Sequence, residues 1–85
     1  MFYTYVLKSE KDGKLYIGHT ENVIKRTQVH NLGKVPSTKH RTPFTLLFQT
    51  AFTTRNQARW QERKWKSAWG HKQLEKILSG RSAAW

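Results

Sequence analysis

The sequence predicts a small α+β domain, in which a three-stranded antiparallel sheet is flanked by helices in the order β-β-α-β-α-α. Residues 2–8 are rich in β-branched and aromatic types and are separated from a second such segment, residues 15–18, by the hairpin dipeptide Asp12-Gly13. A third apolar segment covers residues 44–52, and helical periodicity follows the second and third segments. Because three strands alone bury too little apolar surface, we expect helices to cover the sheet.

The third strand is predicted from apolar residues at alternating positions. These residues are Phe44, Leu46, Phe48 and Phe52. The segment before it, residues 33–43, contains glycine, two prolines and several basic side chains, which is typical of a polar loop.

Helix boundaries are predicted from capping residues and helix breakers. Thr20 or Asn22 can cap the first helix, which we expect to end near residues 31–33. Thr54 can cap the second helix, which is predicted from about residue 55 to residue 68.

A short final helix is predicted over residues 71–80, and residues 81–85 form a short tail. We therefore expect one domain over residues 1–80.

The composition limits the classes of function. Sixteen Lys and Arg against five Asp and Glu give 85 residues a net charge of +11, which favours a polyanionic partner such as a phosphate backbone over an acidic membrane surface. The chain has no cysteine, so a disulfide scaffold and a cysteine-based zinc site are excluded. No segment resembles a signal peptide or a membrane span, and we expect a cytoplasmic protein without a membrane partner.

The predicted first helix places Val23, Arg26, Thr27 and His30 within one narrow arc, on the face that should meet the core. An unpaired buried arginine is costly, so three interpretations stay open. The helical wheel is slightly misphased and both polar residues lie at the rim of the core, or the histidine is a hydrogen-bonded core residue. Alternatively, this face borders a pocket.

The predicted second helix has a basic band and an apolar face. The basic band comprises Arg55, Arg59, Arg63 and Lys66, and the apolar face comprises Ala58, Gln61, Trp65 and Trp69. Glu62 lies at the edge of the apolar face and is the only acidic residue between positions 22 and 74. It can form a weak helical ion pair with Lys66, or serve as an oxygen ligand for a hard cation such as Mg²⁺.

Tyr5 and Tyr16 lie on the two strands of the predicted hairpin. They can be ordinary strand aromatics, as we expect for Tyr3. Alternatively, their hydroxyl groups face a pocket beside a cation, which would increase the small ionised fraction of a phenol at neutral pH.

Together these residues resemble the GIY-YIG endonuclease superfamily, in particular its small standalone members. Tyr16-Ile17-Gly18 is an intact second signature, and Tyr5-Val6-Leu7, eleven positions earlier, is a relaxed form of the first. Arg26, His30 and Glu62 match the helix arginine, a histidine of many members and the metal-binding glutamate. The resemblance covers about residues 2–79.

The resemblance implies a metal-dependent endonuclease acting on DNA. Independently of the resemblance, 85 residues offer little surface for wrapping a duplex, and aromatic side chains near a basic band suit unpaired bases, so we expect single-stranded or locally unpaired DNA as the preferred form. Glu62 would bind Mg²⁺ or Mn²⁺, Arg26 would stabilise charge at phosphorus, and Tyr5 would be the first choice for activating water. His30 or Tyr16 would orient the nucleophile, and Gly18 would be the structural glycine of the motif.

Basic side chains of the loops and of the second helix would hold the nucleic acid by its phosphates. They are Lys14, His19, Lys34, Lys39, His40, Arg41, Arg55, Arg59, Arg63 and Lys66. Two tryptophans, Trp60 and Trp85, could stack on unpaired bases or serve only in packing.

The sequence departs from the family pattern in two places besides the relaxed first motif. No asparagine follows Asn56, so the phosphate contact of the family's late asparagine falls to another residue, such as His71 or Lys72. His19 stands where small hydroxyl residues are common. The relaxed first motif and the missing asparagine leave an alternative function, a nucleic-acid-binding module with little or no turnover.

Overall fold

The computed structural model describes residues 1–67, 70, 72–74 and 76. Its elements are β1 (Phe2–Ser9), β2 (Leu15–Thr20), α1 (Val23–Asn31), a 3₁₀ turn (Lys39–Arg41), β3 (Phe44–Phe52) and α2 (Arg55–Lys66). The predicted α+β class and the order of these elements are confirmed. Residues 70, 72–74 and 76 are helical, whereas the other residues of the final helix predicted over 71–80, and the tail, lie outside the described residues.

The sheet has the order β2-β1-β3, and both strand pairs are antiparallel. The β1–β2 turn contains Gly13 at φ +71°, a backbone conformation that glycine adopts without strain. This agrees with the hairpin predicted at Asp12-Gly13. Strand β2 continues two residues beyond the predicted segment, so His19 is part of the sheet.

The β1–β3 pairing contains a bulge that the alternating sequence pattern did not predict. Val6 pairs with Phe48, but Leu7 pairs with Leu46, so Leu47 is an extra residue on β3. A bulge of this kind changes the direction in which the following side chains point. Simple alternation, which would put Phe48 on the same face as Leu46, is therefore wrong for this strand.

The sheet lies between two hydrophobic clusters. One consists of Tyr5, Leu7, Val23 and Phe44, with Leu46 packed against it, and includes the inward face of α1. The other consists of Val6, Ile17, Trp65 and Leu74, with Phe48 packed against it, and includes the inward face of α2. Successive residues of β1 thus enter opposite clusters, and α1 and α2 cover opposite faces of the sheet.

Helix α1 begins after Asn22, whose side chain accepts a hydrogen bond from the Lys25 backbone N–H. Of the two predicted caps, Asn22 is therefore the residue used. The helix ends at Asn31, and Gly33 follows at φ +73°, in agreement with the predicted end.

Helix α2 begins with a capping box between Thr54 and Gln57, which confirms the predicted cap. It ends at Lys66, so the boundary predicted at residue 68 is wrong. Ser67 has extended backbone angles, and its hydroxyl donates a hydrogen bond to the Lys64 carbonyl oxygen at 2.7 Å, which takes the place of a further helical turn. None of the helices in the described ranges is long and apolar enough to cross a bilayer.

Candidate active site

The Tyr5 side chain lies across the neighbouring strand at Gly18. The two residues are paired between β1 and β2, and a Cβ atom built on Gly18 would lie only 2.6 Å from the Tyr5 hydroxyl oxygen. Tyr5 is 1% exposed. The absence of a side chain at Gly18 therefore allows the phenol to extend over β2, toward the outer edge of the sheet.

His30, on the inward face of α1, connects Tyr5 to the loop that follows the helix. Its Nε2 lies 3.2 Å from the Tyr5 hydroxyl and its Nδ1 lies 2.8 Å from the Thr38 hydroxyl. The Thr38 hydroxyl in turn donates to the Val35 carbonyl oxygen. This chain assigns the proton to Nδ1 of His30 and makes Nε2 the acceptor for the Tyr5 hydroxyl.

Arg26 is half-buried, and its guanidinium acts to lower the pKa of the Tyr5 phenol. Burial of Tyr5 outweighs this effect and raises the pKa of the phenol to about 12. Burial, together with the Arg26 charge, lowers the pKa of His30. At neutral pH the network therefore consists of a protonated phenol, a neutral imidazole and one guanidinium.

These contacts explain why an arginine and a histidine share the inward face of α1. His30 is a hydrogen-bonded core histidine, and Arg26 lies at the rim with a polar partner. Arg26 also lines an open groove, so this face of the helix borders a cavity as well as the core.

Tyr16, on β2, packs beside the same network. Its ring centroid is 4.8 Å from that of His30, in an edge-on arrangement, and 6.3 Å from that of Tyr5. Unlike Tyr5, Tyr16 is only half-buried. The two tyrosines therefore share one cluster but differ in their access to solvent.

Glu62 lies on α2 and is held by two basic side chains. Its Oε1 accepts a hydrogen bond from Nδ1 of His19 at 2.8 Å, and its Oε2 accepts one from Nζ of Lys66 at 3.0 Å. Burial raises the pKa of Glu62, but the hydrogen bonds from His19 and Lys66 outweigh burial and leave it below its ordinary value. The Glu62 charge also makes a small contribution to the raised pKa of Tyr5.

Glu62 offers a divalent cation one carboxylate ligand. The described part of the chain contains no group of three or more potential metal-binding side chains. Mg²⁺ often binds through one or two protein carboxylates, with water and phosphate oxygens completing the shell. Glu62 is ionised at neutral pH, and Lys66 on its Oε2 has a half-exposed side chain that can move away, so this set fits such an ion.

An open groove of about 470 Å³ lies at the end of β2, between the N-terminal parts of α1 and α2. It is lined by His19, Thr20, Glu21, Asn22, Lys25, Arg26, Val29 and Arg55. Arg26 and His19 link this groove to the tyrosine network and to Glu62, respectively.

The predicted phosphate-binding residues fall into separate groups. Arg55, Arg59 and Arg63 are exposed along α2, as the predicted band requires. Arg55 also forms an exposed ion pair with Glu21 at 3.8 Å, and Lys66 is paired with Glu62. His19, predicted to contact nucleic acid, has one ring nitrogen committed to Glu62.

The loop candidates lie outside the groove lining. Arg41 pairs with Asp12 at 2.9 Å and donates to the Lys14 carbonyl oxygen, so it fastens the 3₁₀ turn to the β1–β2 turn. The other loop candidates are exposed; they are Lys14, Lys34, Lys39 and His40. Of the substitutes for the late asparagine, Lys72 is exposed, and His71 lies outside the described residues, as does Trp85.

Two residues of the site were missed from the sequence. Lys25 lines the groove next to Arg26, and this pair of basic residues at the start of α1 was the available signal. Thr38 is 1% exposed and bonds His30, but its position in a polar loop gave no indication of this contact.

Comparison with known proteins identifies one family model and several relatives of similar length. A sequence model of the GIY-YIG catalytic domain matches residues 1–75. A UPF0213 protein of Bacillus pumilus is 40% identical over 74 residues, covering 86% of this chain and 74% of the relative. A UPF0213 protein of Staphylococcus haemolyticus is 37% identical over 76 residues, covering 88% and 92% of the two chains.

A solved structure also matches. The solution NMR structure of a UPF0213 protein from Bacillus halodurans superimposes with a TM-score of 0.55 at 33% identity. The match covers 91% of this chain and 85% of that protein.

Proposed function

The chain belongs to the GIY-YIG family, a nuclease family, and from this membership we propose that it is a divalent-metal-dependent endonuclease that hydrolyses phosphodiester bonds in DNA. The observation that carries the proposal is the position of Glu62. In a chain with a net charge of +11, this carboxylate is held by His19 beside the groove that contains Arg26. A carboxylate next to a basic groove can hold a divalent ion beside a phosphate that the groove binds, as metal-assisted hydrolysis would use.

Arg26 is the proposed phosphate-activating residue. It is half-buried, lines the groove and lies on the helix face beside the Tyr5 network. A guanidinium in this position can bind the scissile phosphate and stabilise the charge that develops on its oxygens during attack. Tyr5 and His30 then act as positioning residues behind Arg26.

Tyr16 is the proposed contact of the attacking water. Tyr5 was the first choice from the sequence, but its hydroxyl is buried, hydrogen-bonds His30, and has a pKa raised by burial to about 12. Only about one Tyr5 in 10⁵ would be ionised at pH 7. Tyr16 lies beside the same cluster and is half-buried, so it is better placed to meet solvent and a substrate.

In the proposed reaction the water oxygen forms a bond to phosphorus while the bond from phosphorus to O3′ breaks. The products are a 5′-phosphate and a 3′-hydroxyl. One water proton passes to the Tyr16 hydroxyl, which releases its own proton to solvent, and the leaving oxygen takes a proton from solvent. Glu62 would hold Mg²⁺ or Mn²⁺ after Lys66 moves away, and the bound ion would supply Lewis-acid stabilisation of phosphate charge.

A specific observation favours the second candidate function, a nucleic-acid-binding module with little turnover. Both Glu62 oxygens already accept hydrogen bonds from basic side chains. If Lys66 stays hydrogen-bonded to Oε2 of Glu62, no metal ion can bind there, and the groove would bind phosphates without hydrolysing them.

The test is a panel of labelled single- and double-stranded DNA and RNA, incubated with Mg²⁺ or with EDTA. We expect DNA cleavage that EDTA stops. Glu62→Gln should bind DNA without cleaving it, while Glu10→Gln, the same chemical change at an exposed residue that contacts Thr45, should cleave like wild type. Binding without cleavage by wild type would favour the binding module, and cleavage of RNA alone would refute the DNA assignment.

A further inference from the structure

Trp60 lies on the outward face of α2 and is 61% exposed. It is two residues from the buried Ala58, which puts it about 200° around the helix, on the side away from the sheet. Trp60 is the one aromatic among the large apolar side chains exposed in the described part of the chain. The others are Met1, Ile24 and Leu32. Because most of its surface is exposed to solvent, the Trp60 side chain contributes little to the packing of the core.

Two clefts of different chemistry flank Trp60. One, of about 420 Å³, lies between Trp60 and Phe52 and is mainly apolar. The other, of about 260 Å³, is formed by Trp60 with Arg59 and Arg63. The Trp60 indole thus lies between an apolar cleft on one side and two guanidinium groups on the other.

The cations around Trp60 connect this surface to the groove of the candidate active site. Arg55 lines the groove, Arg59 follows one turn later, and Arg63 follows another turn later. Lys64 adds an ammonium group 4.9 Å from the Trp60 ring centroid. The result is an exposed row of positive charges that starts at the groove and ends beside the indole.

We propose that the cleft between Trp60 and Phe52 binds an unpaired nucleobase of the DNA strand whose phosphates lie along Arg55, Arg59 and Arg63. This inference rests on the proposed function and specifies the form of its substrate. Proteins that bind single strands combine aromatic platforms with basic tracks that follow the backbone. In an intact duplex the base faces are stacked on each other, so only a single-stranded or locally unpaired region can use this cleft.

The charges around the cleft favour a nucleic acid over a protein as its occupant. An apolar protein partner would have to desolvate Arg59 and Arg63 without pairing them. A second copy of the chain would bring another net charge of +11 to the same surface. A nucleic acid strand supplies a flat apolar group and neutralising phosphates at the same time.

The test measures binding of the intact protein, in EDTA, to a fluorescent single-stranded oligonucleotide and to a duplex of equal length, at one salt concentration. Trp60→Ala should weaken single-strand binding about tenfold or more, since stacking of one base contributes roughly 5- to 150-fold. Duplex binding should change less than about twofold. Trp60→Phe should retain most of the affinity. Trp60→Leu, which keeps apolar volume but has no aromatic face, should resemble Trp60→Ala. Ile24→Ala, the control, should change neither affinity.

The possible outcomes separate this inference from the proposed function. Equal losses on both substrates, or no loss on either, would overturn the base-binding site while leaving the nuclease proposal intact. A concentration-dependent dimer that Trp60→Ala abolishes, with single-strand binding retained, would also overturn it. Absence of any nucleic-acid binding by wild type would refute the proposed function and this inference together.

Thermal midpoints of the Trp60 variants should match that of wild type within a few degrees, because Trp60 is exposed.

Discussion

His19 donates a hydrogen bond from Nδ1 to Oε1 of Glu62 across 2.8 Å, although the two residues are 43 positions apart in the chain. The bond joins the edge strand β2 to helix α2. It fixes the orientation of the carboxylate proposed to bind a metal ion. His19 was predicted to contact nucleic acid directly, and this geometry favours a positioning role instead.

We expect His19→Ala to weaken metal binding at Glu62 and to leave the affinity for DNA nearly unchanged. Partners that orient a metal ligand typically contribute about 10- to 100-fold to metal affinity or activity. His19→Asn, whose amide can still donate to a carboxylate, should recover part of the loss. Calorimetric titration with Mn²⁺ measures metal affinity without turnover, and fluorescence anisotropy in EDTA measures DNA affinity. A large loss of DNA affinity with unchanged Mn²⁺ binding would make His19 a nucleic-acid contact.

Arg26→Ala should reduce the cleavage rate of bound DNA far more than it reduces affinity. A donor aimed at charge that develops in the transition state typically contributes about 10²–10³ in rate. Arg26→Lys should not restore full activity, because an ammonium cannot reproduce the planar guanidinium. Single-turnover rates and affinities in Ca²⁺ should be measured on the same preparations.

Lys25→Ala is the matched control for Arg26→Ala, because Lys25 immediately precedes Arg26 on α1 and lines the same groove. It should lower affinity slightly and leave the bound-state rate unchanged. The proposed role of Arg26 fails if its removal lowers affinity in full proportion to the overall loss of activity.

Gly18→Ala should destabilise the fold and reduce activity together. Its Cβ would lie 2.6 Å from the Tyr5 hydroxyl oxygen, and the buried Tyr5 side chain cannot move aside without breaking its hydrogen bond to His30. Overpacking of this kind typically costs about 1–3 kcal/mol. Urea denaturation and cleavage assays measure the two effects.

Gly13→Ala provides the control, because Gly13 lies in open space at φ +71°. It should cost about 1 kcal/mol through backbone strain alone, with activity retained. Equal stability of Gly18→Ala and wild type would contradict the close approach of Tyr5 to β2.

The stability of the fold should fall as the pH is lowered from about 7.5 to 5, and His30 should account for part of this loss. Its folded-state pKa lies below the ordinary value of 6.5, so the unfolded chain binds the additional proton first. Stability from His30 is therefore present above pH 6.5 and is lost progressively below it. Asp12 and Glu62 also have lowered pKa values, but the stability that they contribute is lost only at lower pH, below their ordinary pKa values of 3.8 and 4.5.

Urea unfolding at a series of pH values checks this prediction. His30→Gln should flatten the pH dependence between pH 5 and 7, whatever its effect on absolute stability. His40→Gln removes an exposed histidine and should leave the slope as in wild type. An identical slope for His30→Gln and wild type would refute the pKa assignment.

The sequence contained most of the fold because its helix and turn signals are local. Asn22 and Thr54 cap the helices through residues three positions away, and Gly13 forms its turn through its own backbone freedom. The spacing of the GIY-YIG motif residues predicted the site residues Tyr5, Tyr16, Arg26, His30 and Glu62.

The contacts that the sequence did not predict join distant segments. His19 meets Glu62, Thr38 meets His30, and Arg41 meets Asp12 through three-dimensional packing that no periodicity encodes. The boundary of α2 was wrong because the Ser67 side chain competes with the next helical turn. The relative exposure of Tyr5 and Tyr16 likewise follows from the packing of α1 over the sheet.

The extra residue Leu47 has a consequence for how the protein unfolds. Because the bulge sends Leu46 and Phe48 to opposite sides, β3 supplies apolar side chains to both hydrophobic clusters. Detaching β3 would open both clusters at once, so this strand couples the stability of the layers on the two sides of the sheet. Hydrogen exchange of α1 and α2 should accordingly report one cooperative opening event, and a ligand that occupies the groove should slow exchange on both sides of the sheet.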